Sequence, residues 1–152
     1  MRVWRLCGAL HSEAAFSGQG GLYAASRWNE KGHPIVYTAS SRALAAVEYF
    51  VNLEPSQAPA DLVMAEADVP DSAVLKLEMA KLPKDWFTLN NRECRRLGTE
   101  WLKSRRSAAL AVPSVPIRGD WNVILNPEHP DFSRIRRIAA TPFFYDVRMF
   151  GR

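Results

Sequence analysis

The chain has 152 residues, 47% of them hydrophobic and 24% charged, with a net charge of +4 and two cysteines. That is enough apolar content for one core and short for two domains, so a single domain over residues 1–152 is expected. The composition disfavours disorder, and no run of about 18 apolar residues is present to span a membrane. The excess positive charge points to an anionic partner: a nucleotide, a nucleic acid or an acidic protein.

Arg2–Cys7 (RVWRLC) alternates and reads as a strand, with Val3, Arg5 and Cys7 on one face and Trp4 and Leu6 on the other. Arg5 among apolar neighbours is either a snorkelling edge residue or a site arginine. Arg2 and Arg5 also interrupt any signal-like apolar stretch, and with no CxxC pair the cysteines read as reduced core thiols. A cytoplasmic protein is expected. Gly8–Gly21, with three glycines near its end, reads as a loop. Tyr23–Trp28 reads as short and semi-extended, followed by a turn at Lys31-Gly32-His33-Pro34.

Ile35–Ala39 is a strand, and Ser40 or Ser41 caps a helix over Arg42–Leu53. On a helical wheel Leu44, Val47 and Val51 fall within an arc of about 60°. Glu48 lies about 40° from Leu44, on the flank of that arc, with Arg42 and Tyr49 opposite. A carboxylate on a buried flank needs a cationic or hydroxyl partner, and no Lys or Arg stands three or four residues away. The partner must come from elsewhere in the fold, unless Glu48 reaches solvent at the stripe's edge.

Glu54–Ala60 reads as a loop, Asp61–Val69 and Ala73–Leu77 as strands, and Lys81–Asn90 as a loop. Asn91–Arg105 is a helix with Cys94, Leu97, Trp101 and Leu102 inward and a basic outer face at Arg92, Arg95, Arg96, Lys103 and Arg106. Ala108–Pro113 is a strand covered on both faces. Trp121–Leu125, Arg134–Ala139 and Phe143–Met149 are further strands. Seven or eight strands with two helices that do not alternate regularly give an α+β fold, with a curved or split, mostly antiparallel sheet.

The histidines are scattered, with no metal-ligand spacing, so no metal is expected. No GxSxG elbow, phosphate loop or dinucleotide fingerprint occurs. A metal-free ribonuclease built from His, Arg and Glu suits the charge. Arg27, Tyr37 and Glu48 form the other constellation. A guanidinium fork suits a diphosphate, an aromatic face a cationic ring, and a carboxylate a sugar that becomes cation-like as its glycosidic bond breaks. Together they describe cleavage of NAD at the nicotinamide–ribose bond.

The chain resembles the RES-domain toxins of RES–Xre toxin–antitoxin pairs. The likeness rests on VWRL, the block GGLYAASRW…KGHPIVYTASS…ALAAVE, Pro113-Ser114, WNVILNPEHPDF and Asp146-Val147-Arg148. Trp28 and Val147 depart from the tyrosine and proline common in relatives. The resemblance implies an ADP-ribosyltransferase-like fold, NAD as substrate with no other cofactor, and Arg27, Glu48 and Ser114 as the residues that name the family. In that picture Arg27 grips the diphosphate with Arg5 as a candidate second arginine. Tyr37 and Trp28 pack against nicotinamide or its ribose, Glu48 orients a ribose hydroxyl, and Ser114 hydrogen-bonds in the cleft. ADP-ribose then passes to water, phosphate or a protein. An Xre-type antitoxin in a hetero-oligomer is implied as partner, with DNA reached only through it.

Overall fold

In chain order the regular elements begin with β1 (Arg2–Gly8), where the expected alternation holds. A short helix α1 (Gly20–Tyr23) follows inside what reads as a glycine loop. Gly21 explains the difference. A Cβ there would sit 2.1 Å from the His33 carbonyl oxygen, so this glycine lets one loop lie on another. The computed structural model describes residues 1–54 and 59–151, so the expected Glu54–Ala60 loop lies partly outside the described residues.

β2 (Val36–Ala39) leads into α2 (Arg42–Phe50), whose first turn is capped by Ser41 Oγ accepting from the Leu44 N–H. The helix stops at Phe50, before Val51, which is therefore 55% exposed instead of inward. Tyr49, expected in water, is half-buried against a cluster containing Leu6, Leu44, Leu62 and Met64. The reason is tertiary: Phe143 and Tyr145 pack on the same cluster, so chain from the far end covers that side of α2.

β3 (Leu62–Asp68), β4 (Val74–Lys76), α3 (Arg92–Ser104), β5 (Ala109–Pro113) and β6 (Trp121–Leu125) lie where the hydrophobic pattern puts them. Asn91 caps α3 through its side chain, and the left-handed Arg105 ends it. All five residues of β5 are buried, as a strand covered on both faces requires. The two strands expected at the end are one, β7 (Arg136–Phe143), while Val147–Met149 is a 3-10 turn capped by Asp146. Pro142 does not break β7 because β7 is an edge strand, where a missing N–H costs no ladder bond.

Among the described residues the strands form one seven-stranded sheet in the order β4-β5-β6-β2-β1-β3-β7, antiparallel except for β4 beside β5. It is continuous but nearly split. β1 and β2 meet at the single pair Trp4↔Ala39, whereas β1 and β3 are in register from Arg2↔Asp68 to Gly8↔Leu62. On one side of this seam α3 covers β2, β5 and β6 through Cys94, Trp101 and Leu102 against Ile35, Leu110, Val112 and Ile124. On the other, α2 covers β1 and β3 through Leu44 and Ala45 against Leu6, Leu62 and Met64. The opposite face of the sheet carries Val3, Val36, Ala67, Ala109, Val123 and Leu125, with Phe16, Phe132 and Ile135 packed on it. Cys7 and Cys94 are free, buried and in different clusters.

Candidate active site

Because side chains alternate across a strand, register decides which residues can meet. Trp4, Ala39, Asn122 and Val112 form one row across β1, β2, β6 and β5, with Tyr37 and Ile124 paired in the next. All lie on the face covered by the helices, and Ser114, two residues beyond Val112, continues along it. Glu48 on α2 meets them there. Its Oε1 accepts from Ser114 Oγ at 2.8 Å and from Asn122 Nδ2 at 2.6 Å. The carboxylate thus finds the distant hydroxyl partner that its place on the helix demands, plus an amide. Both bonds cross the seam.

Ser114 is fully buried and its Oγ also accepts the Ile117 N–H at 3.2 Å. Its hydroxyl proton therefore goes to Glu48, and the side chain does not reach an open cleft. The expected ligand contact becomes a positioning contact. Glu48 Oε2 receives no hydrogen bond from the described residues.

Tyr37 is half-buried beside Trp28, Ile35, Leu110 and Ile124. Its hydroxyl donates to Asn29 Oδ1 at 2.6 Å and accepts the Trp28 N–H at 3.1 Å. Burial pushes its pKa up to about 12, opposed by the Trp28 hydrogen bond, so it stays protonated. The hydroxyl is committed to the chain, which leaves only part of the ring to face a ligand. Asn29, itself 1% exposed, donates onward to the carbonyls of Ala24 and Glu30.

Trp28 overturns its expectation. It is 2% exposed inside the α3 core and cannot stack on a bound ring. α3 approaches its backbone so closely that a Cβ at Gly98 would fall 1.9 Å from the Trp28 carbonyl oxygen. Thr99 Oγ1 accepts the Glu30 N–H at 2.9 Å, and Arg95 Nε donates to the Ser26 carbonyl. Part of the basic face of α3 thus holds this segment, while Arg96 is occupied by Glu93 and Glu100.

The segment so fixed presents Arg27. Its Nη1 donates to the carbonyls of Trp86 at 2.8 Å and Thr88 at 3.1 Å, tethering the side chain to the loop before α3. These bonds use one nitrogen. The Nε–Nη2 edge, which can grip a phosphate or carboxylate with two parallel N–H groups, has no hydrogen-bond partner among the described residues. No hydrogen bond or ion pair joins Arg27 to Glu48 there. They are related through Tyr37 and the sheet.

Arg5 also departs from the expected cleft role. It rises from the Val3 and Cys7 face, opposite Glu48, and its Nη1 donates to the Tyr37 carbonyl at 3.0 Å. It spans the seam where ladder bonds are missing. Burial lowers its pKa, opposed by Cys7, and its buried Nε has no partner among the described residues.

Asn122, Asn29 and Gly98 were not singled out from the sequence. Asn122 left a signal: it stands two residues from Ile124, a polar side chain on the apolar face of WNVIL. Cavities of about 260 Å³ by His33 and Asn126, and about 330 Å³ by Asp85 and Arg92, do not include Glu48. No helix among the described residues is long and apolar enough to cross a membrane.

Comparisons with known proteins identify the family and the fold. The RES domain family model matches residues 2–146. The chain is 37% identical over 155 residues to the "Prs ADP-ribosylating toxin" of Sphingobium sp. (strain YBL2), covering 98% of this chain and 96% of that one. It is 32% identical over 151 residues to "Toxin Res" of Photorhabdus laumondii, covering 98% and 97%. A chain in the crystal structure of the M. tuberculosis MbcT-MbcA toxin-antitoxin complex superposes with a TM-score of 0.72 at 18% identity, covering 94% of this chain and 84% of that one. The fold is therefore shared well beyond recognisable sequence identity. With the match running almost from end to end, the chain belongs to the RES-domain family.

Proposed function

We propose that the protein is the toxin of a toxin–antitoxin pair and that it consumes NAD by breaking the nicotinamide–ribose bond. The observation that carries the reading is Glu48, a carboxylate anchored through Oε1 by Ser114 and Asn122 with Oε2 left over. Breaking a glycosidic bond develops positive charge on the ribose, and a fixed carboxylate stabilises that charge without reorganising. Glu48 Oε2 accepts a ribose hydroxyl and faces the cation that forms. Arg27 holds the diphosphate through its remaining N–H edge. Nicotinamide departs as a neutral molecule, so no general acid has to protonate it.

The ADP-ribosyl group then passes to an acceptor: water, phosphate or a protein. The Sphingobium relative's name favours the protein acceptor as the second reading. The tuberculosis neighbour was solved with its antitoxin, which supports an antitoxin partner here. Its Xre type and assembly as a hetero-oligomer are part of the proposal.

The test is nicotinamide release from NAD by the purified protein, with mass spectrometry of the products with and without phosphate. Glu48→Gln should lower the rate about 100- to 1,000-fold, the scale for losing one preorganised electrostatic contact. Equal rates in the two proteins rule out the role given to Glu48. Labelled NAD that leaves a stable adduct on a protein identifies the second reading. Expression in bacteria should lower cellular NAD and arrest growth, and neither effect should appear with the Glu48 variant.

A further inference from the structure

Arg118 is an exposed arginine whose partner is a ring. Arg96, Arg105, Arg134, Arg136 and Arg148 are also exposed, and each pairs with a carboxylate. Arg118 has no ion-pair partner among the described residues, although Asp120 stands two positions on. Its guanidinium carbon instead lies 4.1 Å from the centre of the Phe87 ring. At that distance the negative face of the ring attracts the cation, and the planar guanidinium can stack on it.

Both partners sit on held backbone. Arg118 belongs to the turn between β5 and β6, where Ser114 N–H donates to the Asp120 carbonyl and Asp120 N–H to the Ile117 carbonyl. Gly119 takes a φ of 100° there, a value that suits glycine. Phe87 is 38% exposed and stands edge-on to Trp86 with ring centres 6.2 Å apart, and Trp86 packs on the α3 core.

The two frames carry the two ends of the proposed site. Ser114 begins the turn, and its Oγ accepts the Ile117 N–H while donating to Glu48. Trp86 and Thr88, on either side of Phe87, supply the carbonyls that hold Arg27 Nη1. A continuous path therefore runs from Glu48 through Ser114, Ile117 and Arg118 to Phe87, Trp86 and Arg27. Its one link that is neither covalent nor a hydrogen bond is the Arg118–Phe87 stack. A substrate held at its diphosphate by Arg27 and at its ribose by Glu48 depends on the spacing between them. A misplacement of about 1 Å can slow a reaction about 100-fold.

Resting on the NAD reading above, we propose that Phe87 and Arg118 are positioning residues. Their stack braces the loop that holds Arg27 against the turn that holds Glu48. It sets the spacing at which one NAD molecule meets both, without either side chain touching the substrate.

The experiment measures kcat/KM for nicotinamide release from NAD, with the unfolding midpoint of each variant alongside. Phe87→Leu and Arg118→Met should each lower kcat/KM about tenfold while the midpoint stays close to that of the unmutated protein. The double variant should be no slower than the slower single one, because all three lose the same contact. Arg118→Lys keeps a cation over the ring and should stay within about threefold of the unmutated rate. In an Arg27→Gln background Arg118→Met should cost less than about twofold, since the spacing has lost one of its ends. Unchanged rates in the single variants, penalties that multiply in the double variant, or an undiminished penalty without Arg27 each overturn the proposal. Should Phe87→Leu not fold, Arg118→Met in the two backgrounds decides by itself. An unmutated protein that releases no nicotinamide refutes the NAD reading and the proposal with it, whereas normal turnover with silent variants refutes the proposal alone.

Discussion

Under α3 the helix buries five residues, and one of them, Gly98, is a glycine where the Trp28 backbone touches it. β5 is buried throughout, and the segment bearing Arg27 is fastened by Tyr37, Thr99 and Arg95. Under α2 only Leu44 and Ala45 are buried in the helix, and β7 at the far edge is mostly exposed. On the helix-covered face and along the seam the two halves are joined by one β-bridge, the Arg5–Tyr37 bond and the two bonds to Glu48. On the opposite face they are joined by the apolar cluster that Val3 and Ala67 share with Val36, Val123 and Leu125. The contrast assigns separate tasks. The densely packed half holds Arg27, Tyr37, Ser114 and Asn122 in place, and the lighter half delivers the carboxylate to them.

Gly98→Ala attacks the dense half directly. With a Cβ position 1.9 Å from a carbonyl oxygen, the segment around Trp28 has to move. The loss should be on the order of 3 kcal/mol, the upper range for overpacking, read by denaturant titration. Nicotinamide release should fall with it, because Arg27 rides on that segment. A neutral Gly98→Ala contradicts the close packing described here.

Tyr37→Phe is a smaller cut in the same half. It strips the partner from Asn29 Oδ1 and the Trp28 N–H, and should cost about 1–3 kcal/mol. The pH dependence sharpens this. The hydroxyl titrates near 12 in the folded protein, against about 10 in an unfolded chain. Its contribution is fully present below about pH 10 and is lost as pH rises toward 12. Stability measured over that window should fall in the unmutated protein and fall less in Tyr37→Phe.

Ser114→Ala tests the stitching. The fold should lose about 1 kcal/mol, one modest hydrogen bond. Nicotinamide release should drop about tenfold, the equivalent of roughly 1.4 kcal/mol of transition-state stabilisation. An unchanged rate shows that Asn122 alone suffices to hold Glu48.

Much of this was legible in the sequence. Glu48 could be read because a charged residue beside an apolar stripe breaks a helical period, and nothing nearby on the helix could pair with it. That inference requires only the wheel. Trp28 could not be read the same way, because a tryptophan beside an arginine looks alike in a cleft and in a core. Its burial depends on Gly98, seventy residues away. Arg5 was ambiguous for a similar reason: alternation gives its face, but only the register of β1 against β2 shows which face the helices occupy. β7 joins what reads as the two strands Arg134–Ala139 and Phe143–Met149. It runs through Pro142 because an edge strand tolerates a proline, a fact of position that local pattern does not carry.

That edge position has a further consequence. A sheet with free edges invites other chains to add strands, and exposed hydrophobic edges seed aggregation. Here one edge, β4, offers three residues, and the other interrupts its row of amides at Pro142 and carries Arg136 and Arg137. Arg137 is bound to Ser12 and the Glu13 carbonyl, and Arg136 to Asp68. Both margins are thus blunted against edge-to-edge growth.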